Sequence, residues 1–169
     1  YIYTIDSDDF LELNGLKLLY NKAKEYDLDT LFFDAKSTYE NQEVYDKYAH
    51  TYEGLYIRKH NYEDVYRGVD ILERFIKNGK YLVNVPFQFI KRSFFIENEL
   101  WFINGIVHED NIYTFKSMLK AKRVSHISEV IYNRRFRDDS IMTSKLSFYN
   151  LYSYFINYQL MIETLIDLN

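Results

Sequence analysis

The 169-residue chain carries 25 acidic and 21 basic side chains, a formal net charge of −4, and no cysteine. Its length suits one domain with a sizeable core. The charge argues against a general nucleic-acid binder, and the absence of Cys excludes disulfides, thiolate metal sites and a Cys nucleophile. No apolar run reaches the ~18 residues of a membrane-spanning helix. Aromatic residues make up 19%, with 18 Tyr and 13 Phe, so many tyrosines are expected half-buried with the ring inside and the hydroxyl wet.

In chain order, residues 1–5 read as a buried strand and Asp6 to Leu11 as a loop. Leu13 to Tyr26 reads as a helix with Leu13, Leu16, Leu19, Tyr20 and Ala23 at helical spacing. Leu31-Phe32-Phe33 reads as a second buried strand that decays into the polar segment Ser37 to Asp46, which the pattern leaves undecided. Tyr52 to Tyr66 holds two short strand candidates. Gly68 to Asn78 predicts a helix with Val69, Leu72 and Ile76 on one face and Gly79 as its stop. Leu82 to Phe89 alternates in part like a strand, and Ser93 to Glu99 reads as a short helix. A loop with Trp101 and Gly105 leads to His108-Glu109-Asp110. A helix then runs to about Ala121 with Ile112, Phe115 and Leu119 inward. Val124 to Phe136 predicts a strand or strand pair, Arg137 to Ser144 a polar loop, and Ser147 to Leu168 a long helix. Its Phe148, Leu151, Phe155 and Ile162, with Tyr and Leu on other faces, predict a helix covered on more than one side. Pro occurs once and Gly five times, so no flexible linker divides the chain. Strands alternating with helices predict an α/β fold with a mixed sheet, flanking helices and a long C-terminal helix. One domain is expected over 1–169, with 1–144 as its core and 145–169 as the terminal helix.

Three segments carry chemistry. Asp6-Ser7-Asp8-Asp9 follows an apolar strand. Ligands of open α/β sheets bind beyond the carboxyl ends of strands, and carboxylates there suit a hard cation, Mg²⁺ or Mn²⁺, bridging to diphosphate oxygens. The bland use is an acidic loop capping the next helix. His108-Glu109-Asp110 stands before a helix, where a carboxylate gains from the dipole and is placed to take a proton from a hydroxyl. Asp110 as a helix cap is the plain alternative, and His108 is either a ligand or a surface residue. In Tyr132 to Ile141, Arg135 and Arg137 share a strand face, and two guanidinium groups grip a diphosphate. A solvated basic stretch neutralised by Asp138 and Asp139 is the alternative. The chain has no Gly-rich phosphate loop, no nucleophile elbow and no His/Cys zinc spacing.

Together and in this order, Tyr1 to Leu11, Gly105 to Asn111 and Tyr132 to Thr143 resemble the second half of a family 2 glycosyltransferase with the GT-A fold, as found in bacterial enzymes that build surface glycans. The resemblance implies that Asp8, with Asp6, serves the divalent metal, and that Asp6 contacts the sugar nucleotide. It implies that Asp110, beside Glu109, is the base acting on the acceptor hydroxyl. It further implies that Arg135, Arg137 and Ser140 close over the donor diphosphate. Expected partners are a nucleotide-diphosphate sugar and a glycan or lipid-linked acceptor, with no nucleic acid, at a cytoplasmic location on the inner membrane face. The family's opening strand, with its Pro-x-Tyr-Asn, and its Asp-Gly-Ser loop have no counterpart here. The expectation is a partial fold lacking its N-terminal half, a fragment that transfers no sugar alone and that self-associates through the exposed edge of strand 1–5. Two other classes stay open: a metal-dependent phosphotransferase or nuclease using Asp6, Asp8 and Asp9, and a non-catalytic interaction module.

Overall fold

The computed structural model describes residues 1–138 and 147–167. Its centre is a pair of long parallel strands, β3 (Thr30–Tyr39) and β5 (Val124–Phe136). Short antiparallel strands flank them: β4 (Gln88–Ile90) on β3, β1 (Ile2–Tyr3) on β4, and β2 (Phe10–Leu11) on β5. The five-stranded sheet has the order β1-β4-β3-β5-β2 and is mixed, as the alternation of elements predicts.

The sheet is buried on both faces. Leu31, Phe33 and Ala35 of β3 face one apolar cluster with Leu19, Ala23 and Val44, while Phe32 faces a second with Ile71, Phe75, Tyr113 and Met118. Period-two alternation thus sends successive apolar residues to opposite covers. Helices α1 (Gly15–Glu25) and α2 (Gln42–Tyr52) cover the first face. The helices α3 (Gly68–Lys77), α4 (Arg92–Glu97) and α5 (Asp110–Lys120) cover the second. Gly68 is required by packing: a Cβ there would lie 1.8 Å from the Met118 carbonyl oxygen.

Several local expectations change. The opening strand covers only Ile2–Tyr3 and is an edge, half-buried rather than buried, because among the described residues it has β4 alone as neighbour. Phe10–Leu11 is a strand rather than a loop, since the exposed edge of β5 gives it a partner. The undecided segment resolves into the polar end of β3, carried to Tyr39 by its parallel ladder with β5, and into α2, capped where Asn41 accepts from the Val44 N–H at 2.9 Å. Residues 52–66 form no strand pair; Tyr66 makes a single bridge to Val124. Pro86 turns the expected strand at 82–89 into a 3₁₀ turn over Val85–Phe87, leaving only Gln88–Ile90 paired.

Helix faces also rotate. In α1 the buried residues are Gly15, Leu19 and Ala23, whereas Leu13 is 92% exposed and Leu16 and Tyr20 face outward. The small inward residues let the helix approach Ile131 of β5. In α3 the inward residues are Ile71, Leu72 and Phe75, with Ile76 outside. In α5 they include Ile112, Tyr113 and Met118, with Phe115 and Leu119 only partly covered. The largest reversal is α6 (Phe148–Asp167), whose buried residues are Ser153, Asn157 and Thr164, while Phe148, Leu151, Phe155 and Ile162 are exposed.

A charged group lies inside the sheet. Arg58 and His126 are fully buried with Asp34. Arg58 Nη1 donates to the Phe33 carbonyl at 2.8 Å and lies 3.3 Å from Asp34 Oδ1, which His126 Nε2 meets at 2.8 Å. Burial pulls the Arg58 guanidinium down to about 10, opposed by Asp34, and pushes His126 below its usual value. The register irregularities of β3 against β5 fall on both sides of Asp34, where the ladder yields to this group.

Candidate functional site

The acidic residues after β1, the acidic pair at the start of α5 and the arginine end of β5 line one open cleft of about 660 Å³. Asp6, Ser7, Asp8 and Asp9 form one wall, His108, Glu109 and Asp110 another, and Arg134, Arg135 and Arg137 a third. Ser140 lies outside the described residues. The topology explains the convergence. Residues 4–9 bridge between opposite edges of the sheet, from β1 to β2, and so pass the end of β5.

Asp8 and Asp9 have different tasks. Asp8 Oδ2 lies 2.9 Å from Arg137 Nη2 at the cleft surface. Asp9 is consumed by structure: it accepts the Arg135 backbone N–H at 2.7 Å and a short hydrogen bond from the buried Tyr132 hydroxyl. Burial and Asp9 push that hydroxyl above its usual range. Asp6 is unpaired by any cation contact within bonding range among the described residues. Removal from water, then Asp9, raises its carboxyl, and Arg134 opposes them.

Asp110 is not the cap of α5 but its first helical residue; Glu109 holds the cap position and makes no side-chain capping bond. The Asp110 side chain is left to the cleft. Burial, and then the neighbouring Glu109, push its carboxyl from 3.8 up to about 6, against the pull of His108 and Arg134. His108 takes a left-handed backbone, φ 60. Its ring stacks on Tyr154 of α6 at 4.6 Å, with Nε2 3.2 Å from Asn150 Nδ2. The polar inward face of α6 fixes the rest of this loop. Ser153 Oγ accepts from the Val107 N–H, and Asn157 Oδ1 from the Ile112 N–H.

The arginines divide their work. Arg135 Nη2 is 2.7 Å from Glu40, at the rim, and Arg137 faces Asp8. The pair therefore does not stand side by side without partners. Arg134, which the shared-face argument passes over, is the half-buried one. It donates to the Tyr56 hydroxyl at 3.1 Å, and its charge acts on both Asp6 and Asp110. Asn84 also escaped sequence reasoning; its side-chain oxygen is buried without a partner among the described residues and borders the cleft beside Asp110. Arg134 had a signal in its place among three arginines within four residues, Arg134-Arg135-Phe136-Arg137, but Asn84 had none.

Among the described residues, no group of three His, Cys, Asp or Glu is arranged to hold a metal ion by itself. The hard oxygens of Asp6 and Asp8 fit an ion bound in the other usual way, through one or two carboxylates together with substrate phosphates and water.

No protein-family model and no curated protein matches the chain in sequence. Solved structures share its fold. S. aureus TarS 1–349 in complex with UDP-GlcNAc superposes with a TM-score of 0.64 at 22% identity, covering 86% of this chain and 37% of that one. The complex of TarS 1–349 with UDP gives 0.59 at 19%, over 96% and 45%. A TarS structure gives 0.57 at 18%, over 96% and 27%. The chain therefore shares its fold with part of TarS. This chain spans less than half of each of those.

Proposed function

We propose that this chain forms the diphosphate- and acceptor-side part of a nucleotide-sugar glycosyltransferase. The observation that carries the reading is that Asp6, Asp8, Asp110, Arg134 and Arg137 border one cleft, with the Asp110 carboxyl at about 6. A likeness of fold to a protein that binds UDP-GlcNAc and UDP supports a nucleoside diphosphate sugar as the donor.

In this reading Asp110 accepts the proton of the acceptor hydroxyl as that oxygen attacks the anomeric carbon. The bond to the diphosphate oxygen breaks on the opposite side, its electron pair leaves with the diphosphate, and the anomeric centre inverts. A base near neutral pH combines a large ionised fraction with real proton affinity, and such a group contributes ~10²–10⁴-fold. Arg134 and Arg137 meet the charge growing on the diphosphate. Asp8 and Asp6 would hold a Mg²⁺ or Mn²⁺ ion, which when bound neutralises the same charge. Glu109 keeps the Asp110 carboxyl raised, and His108 anchors the loop to α6. Ser140 belongs to the proposed diphosphate loop by sequence. The acceptor is a glycan or lipid-linked hydroxyl at the cytoplasmic side of a membrane; among the described residues no helix is long and apolar enough to cross one. The three-carboxylate phosphotransferase reading is disfavoured at Asp9, whose two oxygens already accept from the Tyr132 hydroxyl and the Arg135 N–H.

Amide NMR with UDP and Mg²⁺ tests the proposal. Metal-dependent shifts should map to residues 6–9, 108–110 and 134–137, weaken at least tenfold in Asp8→Ala and persist in Asp110→Asn. Shifts confined to another surface, or unchanged in Asp8→Ala, would overturn it.

A further inference from the structure

Helix α6 is amphipathic in the unexpected sense. Its inward face carries Asn150, Ser153, Asn157 and Thr164, and the first three of these are used to brace residues 107–112. Its outward face carries Phe148, Leu151, Phe155, Tyr158 and Ile162, each between 59% and 83% exposed. These five positions are separated by three, four, three and four residues. That alternation averages 3.5 residues, the spacing of a coiled-coil seam, and Tyr149, Tyr152 and Ile166 of the same helix are exposed beside it.

From this seam we infer that α6 pairs with α6 of a second copy of the chain. Charge permits it. The charged residues of Phe148–Asp167 are Glu163 and Asp167, so no like charges confront each other along Phe148 to Ile162. The helix has no Lys or Arg, which disfavours an anionic lipid surface as the occupant. Area also permits it. At ~150–250 Å² for a whole aromatic side chain, the exposed parts of the five residues present on the order of 700 Å², close to the ~800 Å² per partner of a stable interface. Strand β1 is the weaker route to self-association, because a two-residue edge offers few free ladder positions.

Sedimentation velocity at about 100 µM tests the inference, since dimer population depends on protomer concentration. The chain should sediment at twice its 20.6 kDa, and Leu151→Lys with Phe155→Lys should sediment as a monomer with unchanged far-ultraviolet circular dichroism. A monomeric parent chain assigns the seam to another occupant, such as a helix of a longer protein, and overturns the inference; so does a lysine variant that stays dimeric. A second measurement exploits the absence of cysteine. Phe155→Cys and Tyr158→Cys copies, singly and mixed, cover parallel and antiparallel pairing. At least one combination should form a disulfide dimer tenfold faster than Asn104→Cys, an exposed position outside α6. Cross-linking no faster than that reference would refute the pairing.

Discussion

Replacing Asp110 by Asn should stabilise the fold at neutral pH, although we assign Asp110 the central chemical role. Burial raises its carboxyl from 3.8 to about 6, so the folded state holds that proton more tightly than the unfolded chain. Stability from this group is complete below the unfolded value and is lost as pH rises through about 6. At ~1.4 kcal/mol for each tenfold change in proton affinity, the full rise corresponds to ~3 kcal/mol at pH 8. The cleft is open to water, which reduces this to about 1–2 kcal/mol. Asn keeps the shape and never ionises, so it escapes the cost. Urea unfolding of parent and variant at pH 8 and at pH 4.5 measures the difference, which should shrink to about a third at the lower pH. A variant no more stable than the parent at pH 8, or a gain independent of pH, would refute the reasoning. The same charge that weakens the fold is what a base needs, as expected where a site is strained for its task.

Gly68→Ala should destabilise by roughly 2–4 kcal/mol, because the new methyl would meet the Met118 carbonyl oxygen at 1.8 Å; a midpoint of urea denaturation within 0.3 M of the parent would contradict this. Arg58→Met should cost about 3–5 kcal/mol by leaving Asp34 buried without its cation. Adding Asp34→Asn should recover part of that loss, and purely additive effects in the double-mutant cycle would show that the two residues are not coupled.

Which parts were legible follows from how local their causes are. The helix ending near Tyr26 is announced by its own spacing, and the strand from Val124 by its β-branched and aromatic residues, Val124, Ile127, Val130, Ile131, Tyr132 and Phe136. The three chemical segments were legible as candidates because each places charge at the end of an element. The polar half of β3 was not, since Lys36-Ser37-Thr38 acquires strand structure only from pairing with Asn133, Arg134 and Arg135. Pro86 was visible, but its consequence depended on which strand stood beside it. Outward and inward faces of α1 and α6 were misassigned for a common reason: a face is defined by what it meets, and Gly15 against Ile131 or Ser153 against the Val107 N–H cannot be weighed without the partner.

The sequence by itself determined the alternation of strands and helices and the presence of paired acidic groups and an arginine cluster. Those follow from near-neighbour sterics and from the chemistry of single side chains. Only the tertiary structure decided that these groups border one cleft, that Asp9 is spent on Tyr132 and Arg135 while Asp8 faces Arg137, and that Asp110 lies in a medium that lifts its carboxyl. Burial and charge pairing arise between residues far apart in the chain, so they exist only once the strands are ordered beside one another.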